Sequence, residues 1–354
     1  MTDDGRWLAG LEEHARARLS PSVFEYVVQG ARDGVAAREA PGTWASVRLA
    51  PRVLRDVTTV DPSVEILGRR QALPWGVAPT TLQRAIHPEG EVAMARAVAA
   101  DEGLLVVSSN AGTTFADIAA TGVRWWVQCY LPADRALAVP LLERAVAAGA
   151  EAVVLTVDTP VVGTKYAAGD VVWDVIDPAL LRLNFDAGYA DQTGSEKALD
   201  LGPHDIGWLG ETTGLPVVVK GVLRADDACR CVQAGAAAVW VSNHGGRQLE
   251  RVVTTASVLP DVVAALSGQA QVFVDGGLRT GPDIVTALAL GADAVFLGRQ
   301  PLYALVDGEE GVRHLHAVLL RQCVETMRLL GARNVADTRC NTPTSGSPQR
   351  QISL

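Results

Sequence analysis

The sequence predicts a closed (β/α)8 barrel (TIM barrel) with an N-terminal helical extension and a long insertion after the fourth strand. Three observations carry that expectation. Eight short apolar runs recur along the chain, most of them separated by amphipathic helical stretches. Several helical stretches stop on a glycine just before a strand, as in "AAGAEAVVLTVD", "QAGAAAVWVSN" and "ALGADAVFLGR". The runs are continuously apolar, which is the pattern of parallel strands covered on both faces. Eight units is the count at which such a sheet closes. A doubly wound open sheet is the alternative, because periodicity does not see closure.

Taken in order, the chain opens with helix. Leu8, Leu11, Ala15 and Leu19 recur at helical spacing, and Ser20-Pro21 starts a second helix carrying Val23, Tyr26 and Val27. Residues 41–72 read as mixed, with a strand-like piece at 64–67. Strands are expected at 73–78, 104–108, 125–130, 152–157, 215–220, 237–242, 272–275 and 294–297. The clearest helices between them are 90–100, 133–147, 225–234 and 282–290. The interval 159–213 breaks the rhythm. It reads as an insertion on the functional face and a candidate lid. Residues 341–354 are polar and rich in Pro, Gly and Ser, and are expected to be disordered. Residues 1–340 are expected to form a single domain.

The bulk properties fit a globular enzyme. The chain has 354 residues, 48% of them hydrophobic and 20% charged. A net charge of -9 argues against nucleic-acid partners, which need a basic surface. No apolar run reaches the roughly 20 residues of a membrane helix. The acidic, interrupted opening does not read as a signal peptide, so the cytoplasm is the expected compartment. Cys129, Cys229, Cys231, Cys323 and Cys340 form no disulfide framework or zinc spacing, and no metal site is expected.

In a parallel barrel, chemistry collects at the C-terminal strand ends. Those ends carry Thr80, Ser108, Gln128 with Tyr130, Thr156 with Asp158, Lys220, Ser242 with His244 and Arg247, Asp275, and Gly298-Arg299. The last two units read "VDGGLRTG" and "FLGRQ". Their glycines let backbone N–H groups approach an anion, and Arg279 and Arg299 add charge-assisted bonds, so a phosphorylated cofactor or substrate is expected. Lys220 is either a Schiff-base lysine or a cation aimed at an anionic ring. His244 is placed to act as a base near neutral pH, and Arg247 to grip a carboxylate. Read alone, "SNHGGRQ" fits a solvated turn equally well.

"SNHGGRQ", preceded by "VVVKGV" and followed by "VDGGLRTG", resembles the FMN-dependent 2-hydroxy acid oxidases and dehydrogenases, which include glycolate oxidase, lactate oxidase and mandelate dehydrogenase. "VFEYVVQGARDG", "APTTLQRAIHPEGE", "QCY" and "LTVDTP" fall in the same order. The resemblance implies FMN as cofactor and a small-molecule 2-hydroxy acid as substrate. His244 would be the base at the α-carbon and Asp158 its partner. Arg247 and Tyr26 would clamp the substrate carboxylate, and Tyr130 would bond its hydroxyl or carboxylate. Lys220 would lie at the N1–O2 edge of the flavin. Ser108, Gln128, Thr156 and the backbone of Pro79-Thr80 would bond the ring, with Ser242 beside them. Asp275 would bind ribityl hydroxyls, while Gly277, Arg279, Gly298 and Arg299 would bind the phosphate. By analogy the protein is a homo-oligomer, with a tetramer as the family's pattern.

Three positions depart from that pattern. Lys165 stands where the family usually has an arginine contacting the substrate carboxylate, and it lacks the planar fork. Asn110 replaces a common pocket aromatic, and Thr81 an alanine facing the flavin. Together they imply a substrate larger than glycolate or lactate, such as an aryl-substituted acid, with the apolar part of the insertion, Val171-Val172-Trp173 and Leu180-Leu181, expected to close over it. Between residues 169 and 200 the insertion holds only Arg182 and Lys197 against seven carboxylates. That favours oxygen over a membrane acceptor. A dehydrogenase with another acceptor, an FMN isomerase on the same barrel and a non-catalytic flavin scaffold are the alternatives.

Overall fold

A computed structural model describes residues 3–166 and 172–339. At its centre eight parallel strands close into a barrel: β1 (Trp75–Val77), β2 (Leu104–Ser108), β3 (Arg124–Cys129), β4 (Val153–Thr156), β5 (Val217–Val222), β6 (Ala238–Val241), β7 (Gln271–Val274) and β8 (Ala294–Leu297). Strands adjacent in sequence are adjacent in space. β8 closes on β1, with Val295, Phe296 and Leu297 opposite Trp75, Gly76 and Val77. That pairing excludes the open sheet. Strand ends lie within two residues of those the apolar runs predict.

The barrel is filled, not hollow. Trp126, Trp240, Phe273 and Phe296 meet in its interior, and the Trp240 and Phe296 ring centroids are 3.9 Å apart. Gly76 makes room for them, since a Cβ there would lie 2.6 Å from the Phe296 ring. Val64–Ile66 and Arg69–Gln71 form a small antiparallel pair. It covers the N-terminal strand ends: Arg124 donates to the Ile66 carbonyl and Gln271 to the Glu65 carbonyl. With the interior packed and the bottom covered, the C-terminal ends are left to build a site.

Helices α1 (Asp3–Arg16) and α2 (Pro21–Val28) match the amphipathic spacing. Helix α3 (Val35–Ser46) does not match the mixed reading of its second half. "APG" at 40–42 looks like a turn, yet the helix runs through Pro41. Ala36, Ala40 and Trp44 bury one face at i, i+4 and i+8, and the Trp44 indole donates to the Gly276 carbonyl at 2.7 Å. Tertiary burial outweighs the local propensity.

Outside the barrel, Gly90–Ala100 is helical as expected. The stretch expected at 133–147 divides into a 3-10 turn, Arg135–Ala138, and a helix, Val139–Ala147, where Pro140 sits in the first turn and needs no N–H partner. The excursion after β4 is shorter than 159–213, because His204–Thr213 is the crossover helix into β5. Buried Asn184 ties the excursion down by accepting from the Phe115 N–H and donating to the Thr113 carbonyl. The polar tail expected at 341–354 lies outside the described residues. Among those residues, no helix is long and apolar enough to cross a membrane.

Candidate active site

The C-terminal strand ends surround a cavity of about 780 Å³. Every site residue expected from the sequence borders it except Asp158 and Ser242, which stand one layer behind. The "SNHGGRQ" segment is a tight turn, not a wet loop. His244, Gly245 and Gly246 all have left-handed backbones, with φ of 55°, 65° and 72°. Such a conformation is uncommon for a non-glycine residue. The Ser242 hydroxyl holds it by accepting from the His244 N–H at 3.1 Å, and the Asn243 side chain does so by accepting from Gly246 N–H at 3.2 Å. Gly246 must be glycine, because a Cβ there would come within 2.5 Å of the Ala37 nitrogen in α3.

The turn aims His244 at a carboxylate. Its Nδ1 lies 2.9 Å from Asp158 Oδ1, so Nδ1–H donates there and Nε2 keeps its lone pair. The Thr159 hydroxyl donates to the same oxygen at 3.0 Å. Burial holds His244 below its ordinary 6.5 despite the Asp158 charge, and Lys220 and Arg247 add to the lowering. Burial raises Asp158, but the charge and hydrogen bond of His244, with Lys220 and Thr159, outweigh it and leave the carboxyl lowered. A neutral imidazole beside an ionised carboxylate is the resting state of a general base. Gly221 makes the pairing fit: its φ is 110°, and a Cβ would stand 2.7 Å from that of Asp158.

Behind the turn runs a buried polar chain. Lys220 Nζ donates to Ser242 Oγ at 2.7 Å and pairs with Asp275 Oδ2 at 3.0 Å, while Ser242 donates to Asp275 Oδ1 at 2.6 Å. Lys220 is thus ion-paired, which fits a fixed cation better than a Schiff-base amine.

The two arginines of the turn region hold more than the sequence implied. Arg247 Nη1 donates to the carbonyls of Tyr26 and Gln29 at 2.7 and 3.0 Å. Arg299 donates to Val27, Gly245 and Gln29 carbonyls at 3.0, 3.0 and 3.1 Å. Both satisfy the otherwise orphaned carbonyls at the end of α2, which seats Tyr26 beside Arg247 with 4.9 Å from guanidinium carbon to ring centroid. Burial, then the charges of Arg247 and Arg279, push Arg299 down to about 10.

The remaining positions complete the wall. Gln128 donates to the Thr156 hydroxyl at 3.1 Å, and the Gln83 amide to the Thr80 hydroxyl at 3.1 Å. Ser108 Oγ accepts from the Asn110 N–H, and the Thr81 hydroxyl donates to the Asn110 carbonyl at 2.8 Å, so two of the departures are coupled. Lys165 Nζ donates to the Gly163 carbonyl at 2.6 Å. Gly277 has φ of 87°, and a Cβ would meet Ala40 of α3 at 2.7 Å. That glycine therefore serves helix packing as well as the cavity. Burial, then the charge of Asp158, raise the Tyr130 phenol well above its ordinary value.

Thr159, Gly221 and Lys197 of the site went unassigned in the sequence, whereas Trp173 belongs to the apolar part of the insertion expected to close over the substrate. Val171 of that part lies outside the described residues. Thr159 and Gly221 sat inside quoted motifs, and a glycine within a strand was the available signal for the second. Trp173 stacks edge-on against Tyr26 at 5.5 Å. Lys197 lies with Nζ 3.8 Å from the Tyr130 ring centroid. Nothing local distinguishes Lys197, which is one cation in an acidic stretch.

The cavity fits a flavin mononucleotide. Gln128 Oε1 is buried without a hydrogen-bond partner, a cost that a ring N–H donor would remove. The guanidinium groups of Arg279 and Arg299 face the cavity with no carboxylate bonded to either among the described residues, as a phosphate site requires. A Cβ on Gly298 would meet nothing within 4 Å, so backbone can be approached closely there.

The sequence model of the FMN-dependent dehydrogenase family matches residues 15–342. L-lactate oxidase of Nostoc sp. is 36% identical over 345 residues, covering 92% of this chain and 94% of the relative. Glycolate oxidase 3 of Arabidopsis thaliana is 38% identical over 342 residues, covering 92% of each. The crystal structure of mandelate oxidase superposes with a TM-score of 0.87 at 38% identity, over 94% of this chain and 96% of that one. With barrel, cavity and relatives in agreement, the chain belongs to the family of FMN-dependent 2-hydroxy acid oxidases, with FMN as its cofactor.

Proposed function

We propose that this enzyme oxidises a 2-hydroxy acid larger than glycolate or lactate, aryl-substituted acids included, and that oxygen reoxidises its flavin. The observation that carries the reading is His244, backed by Asp158, facing the same cavity as Arg247, Tyr26 and Tyr130. FMN, when bound, supplies the two-electron acceptor. The chain's own groups do the rest. Asp158 orients the imidazole and stabilises its charge once His244 Nε2 has taken a proton from the substrate's carbinol centre. Arg247 engages the α2 carbonyls through Nη1, leaving its other nitrogens to a carboxylate, with the Tyr26 phenol beside them. Tyr130, protonated across the physiological range, donates to the substrate hydroxyl or carboxylate. Gln128, Thr156, Ser108, Pro79 and Thr80 would hold the flavin ring, Lys220 its N1–O2 edge with Ser242 behind, Asp275 the ribityl chain, and Gly277, Arg279, Gly298 and Arg299 the phosphate.

Substrate size draws support from Trp173 and Leu181 of the excursion, which border the cavity, and from the absence of an aromatic at Asn110. Similarity to mandelate oxidase, solved also with (S)-4-hydroxymandelic acid at a TM-score of 0.87, points the same way. The acidic excursion and the oxidases among the relatives support oxygen as acceptor. The test is anaerobic bleaching of the flavin absorbance across a panel of 2-hydroxy acids, followed by admission of air. Mandelate-sized acids are expected to bleach it faster than glycolate, with prompt recovery in air. Glycolate as the best substrate, or a reduced flavin that persists in air, would overturn the corresponding half of the proposal.

A further inference from the structure

Lys197 is a cavity cation that neither the flavin nor the α-carboxylate accounts for in the proposed function. Its backbone is built in: Ala198 N–H donates to the Leu131 carbonyl at 3.0 Å and Ala133 N–H to the Glu196 carbonyl at 2.8 Å, fastening this strip against the segment that follows Tyr130. The side chain turns into the cavity with its ammonium over the Tyr130 ring, while neighbouring Glu196 is exposed. No carboxylate bonds to it among the described residues. Asp158 acts on it through space but is engaged by His244 and Thr159. Lysines often lay an aliphatic stem on apolar surface with the head in water. This one is different, because burial pushes it down to about 8, with Lys165 adding to the lowering and Asp158 opposing it.

An ammonium partly withdrawn from water without an anion is costly, and among the described residues the cavity lining offers no unengaged one. The acidic residue among them, Asp275, is already paired with Lys220. Arg279 and Arg299 answer a phosphate, and Arg247 answers one carboxylate. Lys197 is positive charge beyond what the phosphate and the α-carboxylate answer.

We propose that Lys197 binds a second anionic group, so that the preferred substrates are 2-hydroxy acids carrying a distal carboxylate on an alkyl or aryl arm. This rests on the 2-hydroxy acid reading and narrows it.

The test uses the flavin-loaded enzyme and matched pairs of acids: 2-hydroxyglutarate against 2-hydroxyhexanoate, and 4-carboxymandelate against 4-methylmandelate. The native enzyme is expected to favour the diacid in kcat/KM within at least one pair. Lys197→Met is expected to lower the diacid-to-monoacid ratio about tenfold or more, the size of a charge-assisted bond. Lys197→Arg is expected to retain the ratio, which separates loss of charge from misfolding. Titration with 2-oxoglutarate and 2-oxohexanoate, followed by flavin absorbance, should show the same split in Kd without turnover. Preference for the monoacid in both pairs, or an equal loss for both members in Lys197→Met, overturns the inference while the 2-hydroxy acid reading stands. Failure of every acid to bleach the flavin brings down both.

Discussion

His244 stands in a backbone conformation that a non-glycine residue rarely adopts, and that strain is what points Nδ1 at Asp158. On the proposed mechanism the pair acts as a unit. Asp158→Asn should lower kcat by about 10² to 10⁴, because the carboxylate no longer stabilises the imidazolium. The pH dependence has a definite sign. His244 must be neutral to accept a proton, and its pKa lies below 6.5. The acid limb of kcat/KM should therefore fall below pH 6.5 and not above it. Asp158 raises the His244 pKa, so Asp158→Asn should move that limb further toward acid as kcat drops. Lys197 titrates elsewhere, at about 8, facing Asp158, Lys165 and the Tyr130 ring. Preference for diacids should weaken as pH rises through 8, measured as the kcat/KM ratio of a matched pair. The motif "SNHGGRQ" singled out His244 and Arg247 by residue type and spacing, and both side chains border the cavity. Lys197 was not legible, because what makes it unusual is the ring beneath it and the water it has lost.

At the scale of elements, the N-terminal helices are structural parts of the active site. Helix α3 lies directly on the His244–Gly246 turn, and the carbonyl end of α2 is gripped by Arg247 and Arg299. Gly246→Ala puts a methyl into the α3 backbone and strains a φ of 72°. It should destabilise the fold by about 2 kcal/mol, read from the urea midpoint, and lower activity by displacing His244. The strands were legible to within two residues because buried parallel strands must be continuously apolar. Helix α3 was hidden by Pro41-Gly42, whose local preference is overridden by the burial of Trp44. The crossover helix His204–Thr213 was absorbed into the expected insertion, since its neighbours carry little apolar periodicity.

For the whole molecule, the cavity proposed to hold the flavin joins the barrel to its N-terminal helices. Loading the apoprotein with FMN at 100 times its Kd should stabilise it by about 2.7 kcal/mol, visible as a rise in Tm. Arg299→Ala should shrink that rise and lower the starting Tm as well, because the same guanidinium holds the α2 carbonyls. A variant with unchanged Tm in both states would show that Arg299 does neither task.

The repeating strand–helix order, the polar residues at the strand ends and, through ordered motifs, the family and its cofactor are written in the residues themselves. Those properties are local, or are carried by residue type and spacing. Closure of the barrel, the path of α3, the grip of Arg247 and Arg299 on the α2 carbonyls, and the place of Lys197 emerge only in three dimensions. Each depends on which distant segment supplies the neighbour. Burial, backbone strain and lost solvation are set by that neighbour, and no short window of sequence contains it.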